Sequence, residues 1–212
     1  MIVLSNSSPI ARGGNRSVYI FPGRKDRLIK VLHSLDRKRN RKGLKGVIRR
    51  RFPMTLYRFL FREYDSYLRT MVELKNPELN PPLAHQWGLV ETDMGLGMVC
   101  ERIQMGDKNT APTLKSLVAH GELAPHMELL NQFARDMFKY HVRVNDLNAD
   151  NVVLGTRDGK PQFVLIDGLG DSWVIPLRRW STRVNEPSLH KRIHRLTLSL
   201  DLSWDPDTLT VS

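Results

Sequence analysis

The sequence predicts an α+β fold, with an antiparallel β-rich front and a mainly helical back, and three observations lead to it. Paired runs rich in β-branched and aromatic residues, SVYIF with RLIKVLH and WGLVETD with LGMVCERI, read as strands. Between the two pairs, TLYRFLFREYDSYLRTMVEL carries apolar residues at helical intervals. Beyond QMGDKNTAP, residues 104–112, helical periods dominate, so this segment marks a boundary between front (1–104) and back (105–212).

Taken in order, SVYIF, the turn PGRKD and RLIKVLH make a hairpin that puts Lys30 inside its second strand. An insertion over 36–53 follows, in which RKRNRKGLKGVIRRR (37–51) concentrates basic residues without one acid. Such a block is either a solvated loop or a polyanion-binding patch. In the long helix Leu56, Phe59, Leu60, Tyr64, Tyr67, Leu68 and Met71 form the expected apolar stripe. Glu63 falls on that side and needs a cationic partner there. A second hairpin turns at Asp93-Met94-Gly95. In the back, LKSLVAHGEL and MELLNQFARDMFKYHV are helical, the latter with Leu129, Leu130, Phe133, Met137 and Phe138 as its stripe. DNVVLG and QFVLID form a hairpin around Asp158-Gly159, EPSLHKRIHRLTLSL is a basic helix, and the polar tail is expected to fray.

The bulk properties bound the function. At 212 residues, 41% hydrophobic and 26% charged, the chain can bury one core or two small lobes. A net charge of +11 favours polyanionic partners without informing on fold. A single cysteine, Cys100, excludes an intramolecular disulfide framework and a four-cysteine zinc site. No run is long and apolar enough for a membrane helix, and the first residues lack the regions of a signal peptide, so a cytoplasmic protein is expected.

The chemistry is concentrated in Asp146-Leu147-Asn148-Ala149-Asp150-Asn151, followed by VVL and then Val164-Leu165-Ile166-Asp167-Gly168. This is the spacing of a kinase catalytic loop and metal loop. Asp146 would orient an acceptor hydroxyl, while Asn151 and Asp167 would offer hard oxygen atoms to magnesium. Lys30 on a strand and Glu63 on the next helix supply the phosphate-binding pair of such a site. Because the basic insertion lengthens their connection, Glu73 is the alternative partner. The glycine-rich element is weaker: ARGGNRSV keeps Gly13, Gly14 and Val18, but Ala11 and Arg16 stand where the pattern has its first and third glycines. Arg16 either contacts phosphate or is a turn residue, and Val18 would pack on adenine. Glu101 and Ile103 fall where backbone groups would meet adenine. His120, His126 and His141 have no metal-ligand spacing and read as helix-end or surface residues. Trp87, Trp173 and Trp180 read as packing residues.

The opening LSNSSPIARGGNRSVYIFP, the segment VETDMGLG, the loop NDLNADNVVL and DGLGDSWVIPLRRWS resemble the YrbL family of small bacterial kinase-like proteins, linked to the PhoP regulatory network. The resemblance spans nearly the whole chain. It implies a protein-kinase-like fold and an association with the PhoP response; the site residues and the element order add the expectation of a single bilobal domain with a reduced C-terminal lobe that uses ATP and Mg2+ as cofactors. The chain departs from kinases at large in three ways: Val144-Asn145 precedes Asp146, Asp-Gly-Leu forms the metal loop, and no Ala-Pro-Glu motif follows. With so little chain after Asp167, a conventional protein substrate is not expected.

Three functions follow as alternatives. The first is an ATP- and magnesium-dependent phosphotransferase acting on an unidentified small-molecule or anionic acceptor. The second is a pseudokinase that binds nucleotide without phosphotransfer. The third is a nucleic-acid-binding protein using the basic stretch, although no RNP, zinc-finger or helix-turn-helix signature accompanies it.

Overall fold

The computed structural model describes residues 1–14, 16–32, 57–74, 80–106, 110–170 and 182–212. The basic stretch 37–51 and its insertion 36–53, Leu56, and residues 173–181 with Trp173 and Trp180 lie outside the described residues. The fold is mixed α+β. The chain divides into two compact units, Met1–Tyr64 with His85–Arg102, and Asp65–Ala84 with Ile103–Ser212.

In the first unit, β1 (Ala11–Arg12), β2 (Arg16–Phe21), β3 (Arg24–Leu32), β4 (Gln86–Thr92) and β5 (Gly95–Glu101) form an antiparallel sheet in the order β1-β2-β3-β5-β4. Successive strand residues point to opposite faces, so the sheet sorts its side chains in two sets. One set, Tyr19, Ile29 and Val31, joins Leu4 in a core against which Ile2, Phe21 and Val90 pack. Gly97 lies in this layer because a Cβ there would come within 2.5 Å of the Ile29 Cγ2. The other set includes the laterally paired Val18, Lys30 and Met98.

The N-terminal segment is tied to the β4–β5 turn by backbone hydrogen bonds between Ile2 and both Glu91 and Asp93, and by one carboxylate. Asp93 Oδ1 accepts the Leu4 N–H at 2.8 Å and Oδ2 the Ser5 N–H at 3.1 Å. Hydrogen bonding from the Ser5 side chain, then from the Leu4 and Ser5 backbone, holds the Asp93 pKa below its ordinary value.

Helix α1 (Arg58–Glu73) buries Leu60, Glu63, Ser66, Tyr67 and Thr70, a stripe at three- and four-residue spacing. Two expected members of the stripe face outward: Phe59 is 59% exposed beneath the Arg58 guanidinium, and Leu68 is 42% exposed. The buried stripe is centred on Glu63: Leu68, five residues on, falls well to one side of it, and Phe59 stands in the first turn of the helix.

The second unit contains α2 (Leu114–Ala119), α3 (Met127–Lys139), the hairpin β6 (Val152–Arg157) and β7 (Lys160–Leu165), α4 (Thr182–Leu198), and the short hairpin β8 (Trp204–Asp205) and β9 (Thr210–Val211). Thr113 caps α2 by accepting the Ser116 N–H. Of the α3 stripe, Leu130, Phe133 and Met137 are buried, whereas Leu129 and Phe138 are half-buried, with Phe138 against His190 and Trp204. The buried Arg157 guanidinium donates to Asn80 Oδ1 and to the Pro81 and Leu83 carbonyls, which aligns 80–84 with β7. The tail does not fray. Val211 is buried and its N–H donates to Asn131 Oδ1, so the last residues are anchored by a hairpin and a side-chain acceptor.

Candidate functional site

In the first unit the fold brings Lys30, Glu63 and Arg16 together. Lys30 sits in the middle of β3, between Val18 of β2 and Met98 of β5, and is only 6% exposed. Its Nζ lies 3.5 Å from Glu63 Oε1. Arg16, on the same face and next to Leu32 in register, places Nη1 2.7 Å from Glu63 Oε2. Gln86 Nε2 donates to Glu63 Oε1 at 3.4 Å. A carboxylate 96% removed from solvent would be costly alone, and three donors offset that desolvation. Glu73 does not partner Lys30. It pairs at 3.0 Å with Arg143, in the second unit, because it lies nearly three turns farther along α1.

The glycine turn connects β1 to β2, with the Gly13 N–H donating to the Arg16 carbonyl at 2.9 Å. Neither Gly13 nor Gly14 has positive φ, and no heavy atom lies within 4 Å of a Cβ placed on Gly14. The turn's own geometry therefore does not demand glycine here. Val18 is half-buried beside Lys30. Glu101 exchanges hydrogen bonds with His85, its N–H donating to the His85 carbonyl and its carboxylate accepting the His85 N–H. The Ile103 side chain is a core residue of the second unit, packed with Ala84, Ala111, Val153 and Val164. Trp87, by contrast, is not a core residue. It is 45% exposed on the edge strand β4, with the Arg27 guanidinium 4.2 Å from its ring centroid.

The second unit brings Asp146, Asn151 and Asp167 into one pair of loops. Asn148 Oδ1 accepts the N–H groups of Asp150 and Asn151, both at 3.0 Å, which closes the turn between them. Asn151 Nδ2 donates to the Asp146 carbonyl at 3.1 Å, and the Ile166 N–H donates to the Asn151 carbonyl at 2.9 Å. The Gly168 carbonyl accepts from Asn145 and Asp146, at 2.8 and 3.1 Å. Gly168 has φ +86, and a Cβ on it would fall on the Asp146 carbonyl oxygen and 3.1 Å from Asn151 Nδ2. Only a residue without a side chain lets these two loops interlock. Asp146 is exposed, and Asp167 Oδ1 accepts the Gly168 N–H at 2.6 Å.

The donor set fits magnesium. An Asn amide oxygen and an Asp carboxylate are hard oxygen ligands, and an ion shared with phosphates needs no more than one or two carboxylates from the protein. Among the described residues no cluster of three or more His, Cys, Asp or Glu could hold a metal ion. The described helices include none long and apolar enough to cross a membrane. His120 and His141 lie at the ends of α2 and α3, and His126 precedes α3.

Sequence reasoning missed Gln86, Asn148 and Gly168. Gln86 had no local signal, since its partner is 23 residues away. Asn148 and Gly168 did: an Asn two residues before another turn residue is an Asx-turn former, and a glycine directly after a candidate metal ligand is a candidate for left-handed backbone.

No curated protein matches the sequence. Among solved structures the chain is similar to the kinase domain of Mycobacterium tuberculosis PknI, with 17% identity and a TM-score of 0.46, over 89% of this chain and 72% of that one. A double mutant of the same kinase domain gives 18% identity and a TM-score of 0.46, over 89% and 70% of the two chains. The family model described as PhoP regulatory network protein YrbL matches residues 2–200, and the chain belongs to that family.

Proposed function

We propose that this protein is a kinase-like, ATP- and magnesium-dependent phosphotransferase, a single domain with an N-terminal β-rich lobe and a reduced C-terminal lobe. The observation that supports it most is the interlock of the two loops around Gly168. With Nδ2 of Asn151 engaged by the Asp146 carbonyl, the amide oxygen is the atom left to meet a cation, in the turn beside Asp167. In this reading Asn151 and Asp167 would hold magnesium, which would neutralise phosphate charge. Asp146 would orient the acceptor hydroxyl. Lys30 would bind phosphate oxygens under the hold of Glu63, Gly13 and Gly14 would let backbone approach the phosphates, and Val18 with the backbone of Glu101 and Ile103 would receive adenine. Rate acceleration would come from positioning and charge neutralisation. The acceptor is a small molecule or an anionic compound, the protein acts in the cytoplasm, and its family points to a role in the PhoP regulatory response.

Thermal unfolding with ATP and magnesium tests this. Binding to the native state must raise the melting temperature. A magnesium-dependent rise in the wild type that Asp167→Ala removes is expected, together with ATP turnover that Asp146→Ala abolishes. No shift at millimolar ATP would overturn the reading.

A pseudokinase is the second reading, favoured by the glycine turn: neither glycine is demanded by the turn's geometry, and Arg16 replaces a third one. It predicts stabilisation by ATP without turnover.

A further inference from the structure

Among the described residues Glu63 has two cationic partners, where holding one phosphate-binding lysine calls for only one. The contacts are unequal. Arg16 Nη1 approaches Oε2 to 2.7 Å, a strong charge-assisted distance, while Lys30 Nζ stands 3.5 Å from Oε1. The register explains how both reach the same carboxylate. Arg16 lies opposite Leu32, and Val18 lies opposite Lys30, so the two cations project from neighbouring rows on one face of the sheet. Gln86 adds a third donor to the carboxylate, at Oε1, and in turning its amide that way it leaves its own Oε1 buried with no partner among the described residues. Leaving an acceptor stranded is unfavourable, so the orientation reflects the demand of Glu63.

In a simple lysine–glutamate pair, a phosphate and a buried carboxylate compete for one ammonium group. Drawing the lysine toward the phosphate strips the carboxylate of its counter-ion, and the loss is deducted from nucleotide affinity. We propose that Arg16 is a positioning residue that removes this competition: it is the standing counter-ion of Glu63, and it releases Lys30 to the phosphate oxygens of a nucleotide. The inference rests on the nucleotide reading above and goes beyond it, because it gives the departure from glycine at position 16 a role. Glycine there would leave Glu63 with Lys30 as its one cation among the described residues.

The test is equilibrium binding of ATP with magnesium, and of adenosine, to the full chain at fixed ionic strength. The proteins are the wild type, Arg16→Met, Arg16→Lys, and Arg16→Met combined with Glu63→Gln. Arg16→Met lets Glu63 reclaim Lys30, so ATP affinity falls on the order of tenfold, while adenosine, which has no phosphate, is unaffected. Arg16→Lys restores a counter-ion and returns ATP affinity to within about threefold of wild type. Adding Glu63→Gln to Arg16→Met also restores it, because a neutral amide no longer claims the lysine. If the double variant stays as weak as Arg16→Met, Arg16 contacts phosphate directly and the inference is wrong. If adenosine affinity falls equally, Arg16 only supports the fold, which also overturns it. Should Arg16→Met not fold, Arg16→Gln with the same Glu63→Gln partner reads the same recovery. A wild type that binds neither ligand overturns the nucleotide reading itself, and this outcome is separate from the others.

Discussion

Replacing Gly168 by alanine perturbs the loops at a position where backbone conformation and packing both demand glycine. Its φ of +86 costs an L-residue about 1–2 kcal/mol. The new Cβ would also meet the Asp146 carbonyl oxygen, lie 3.0 Å from the Asp146 carbonyl carbon and 3.1 Å from Asn151 Nδ2. Relief requires backbone to move, since Asp146 contributes no flexible side-chain end to the contact. That motion breaks or stretches the hydrogen bonds from Asn145 and Asp146 to the Gly168 carbonyl, each contributing about 1 kcal/mol. The sum is about 3–4 kcal/mol, a large part of the stability of a typical domain. Urea unfolding followed by circular dichroism reads it as a lower midpoint at unchanged slope. Gly121 provides the control, with φ +69 and no heavy atom within 4 Å of an added Cβ, so Gly121→Ala should cost only about 1 kcal/mol. If Gly168→Ala costs no more than Gly121→Ala, the interlock of the two loops is not a steric fact and the site built on it fails.

Two further outcomes are expected. Gly97→Ala should destabilise by about 2 kcal/mol in the same assay, because its Cβ would press on the fully buried Ile29 2.5 Å away, and Ile29→Val should recover part of the loss. The clamp at Asp93 should be acid-sensitive. Its folded pKa lies below the ordinary 3.8, so the unfolded state binds more protons on acidification and stability rises with pH. The clamp's contribution is fully present above 3.8 and is lost as pH falls through the depressed folded value. Hydrogen exchange at the Leu4 amide should be protected at pH 5 and lose protection, before the rest of the sheet does, as the pH falls through the depressed folded pKa, and Asp93→Ala should remove that protection already at pH 5.

Local order carried much of the fold. The two hairpins of the first unit, the helix α1 and the β6–β7 hairpin could be read because strand alternation, turn residues and helical period act over a few positions. The Asp146 and Asn151 loop could be read for the same reason, with Asp167 one hairpin away. Helix phase was harder. Six apolar residues in α1, with Leu56 ahead of it, suggested a stripe through Phe59 and Leu68, whereas burial centres on Glu63 and leaves both of these exposed. The tail looked too polar to hold, yet a side-chain acceptor on α3 and the burial of one valine anchor it. Neither partner is close in sequence.

By itself the sequence determined the antiparallel front, the order of the candidate chemical residues and the family, since each depends on residue type and short spacing. Only the tertiary structure decided which glutamate faces Lys30, what Arg16 does with its charge, why Gln86 is buried, and why residue 168 must be glycine. The physical reason is common to all four. A carboxylate with several donors in reach selects among them by distance and desolvation, and a Cβ is forbidden or allowed by whatever backbone lies opposite. Both are properties of chain segments that meet in space, such as the 47 residues separating Arg16 from Glu63, and no local pattern encodes them.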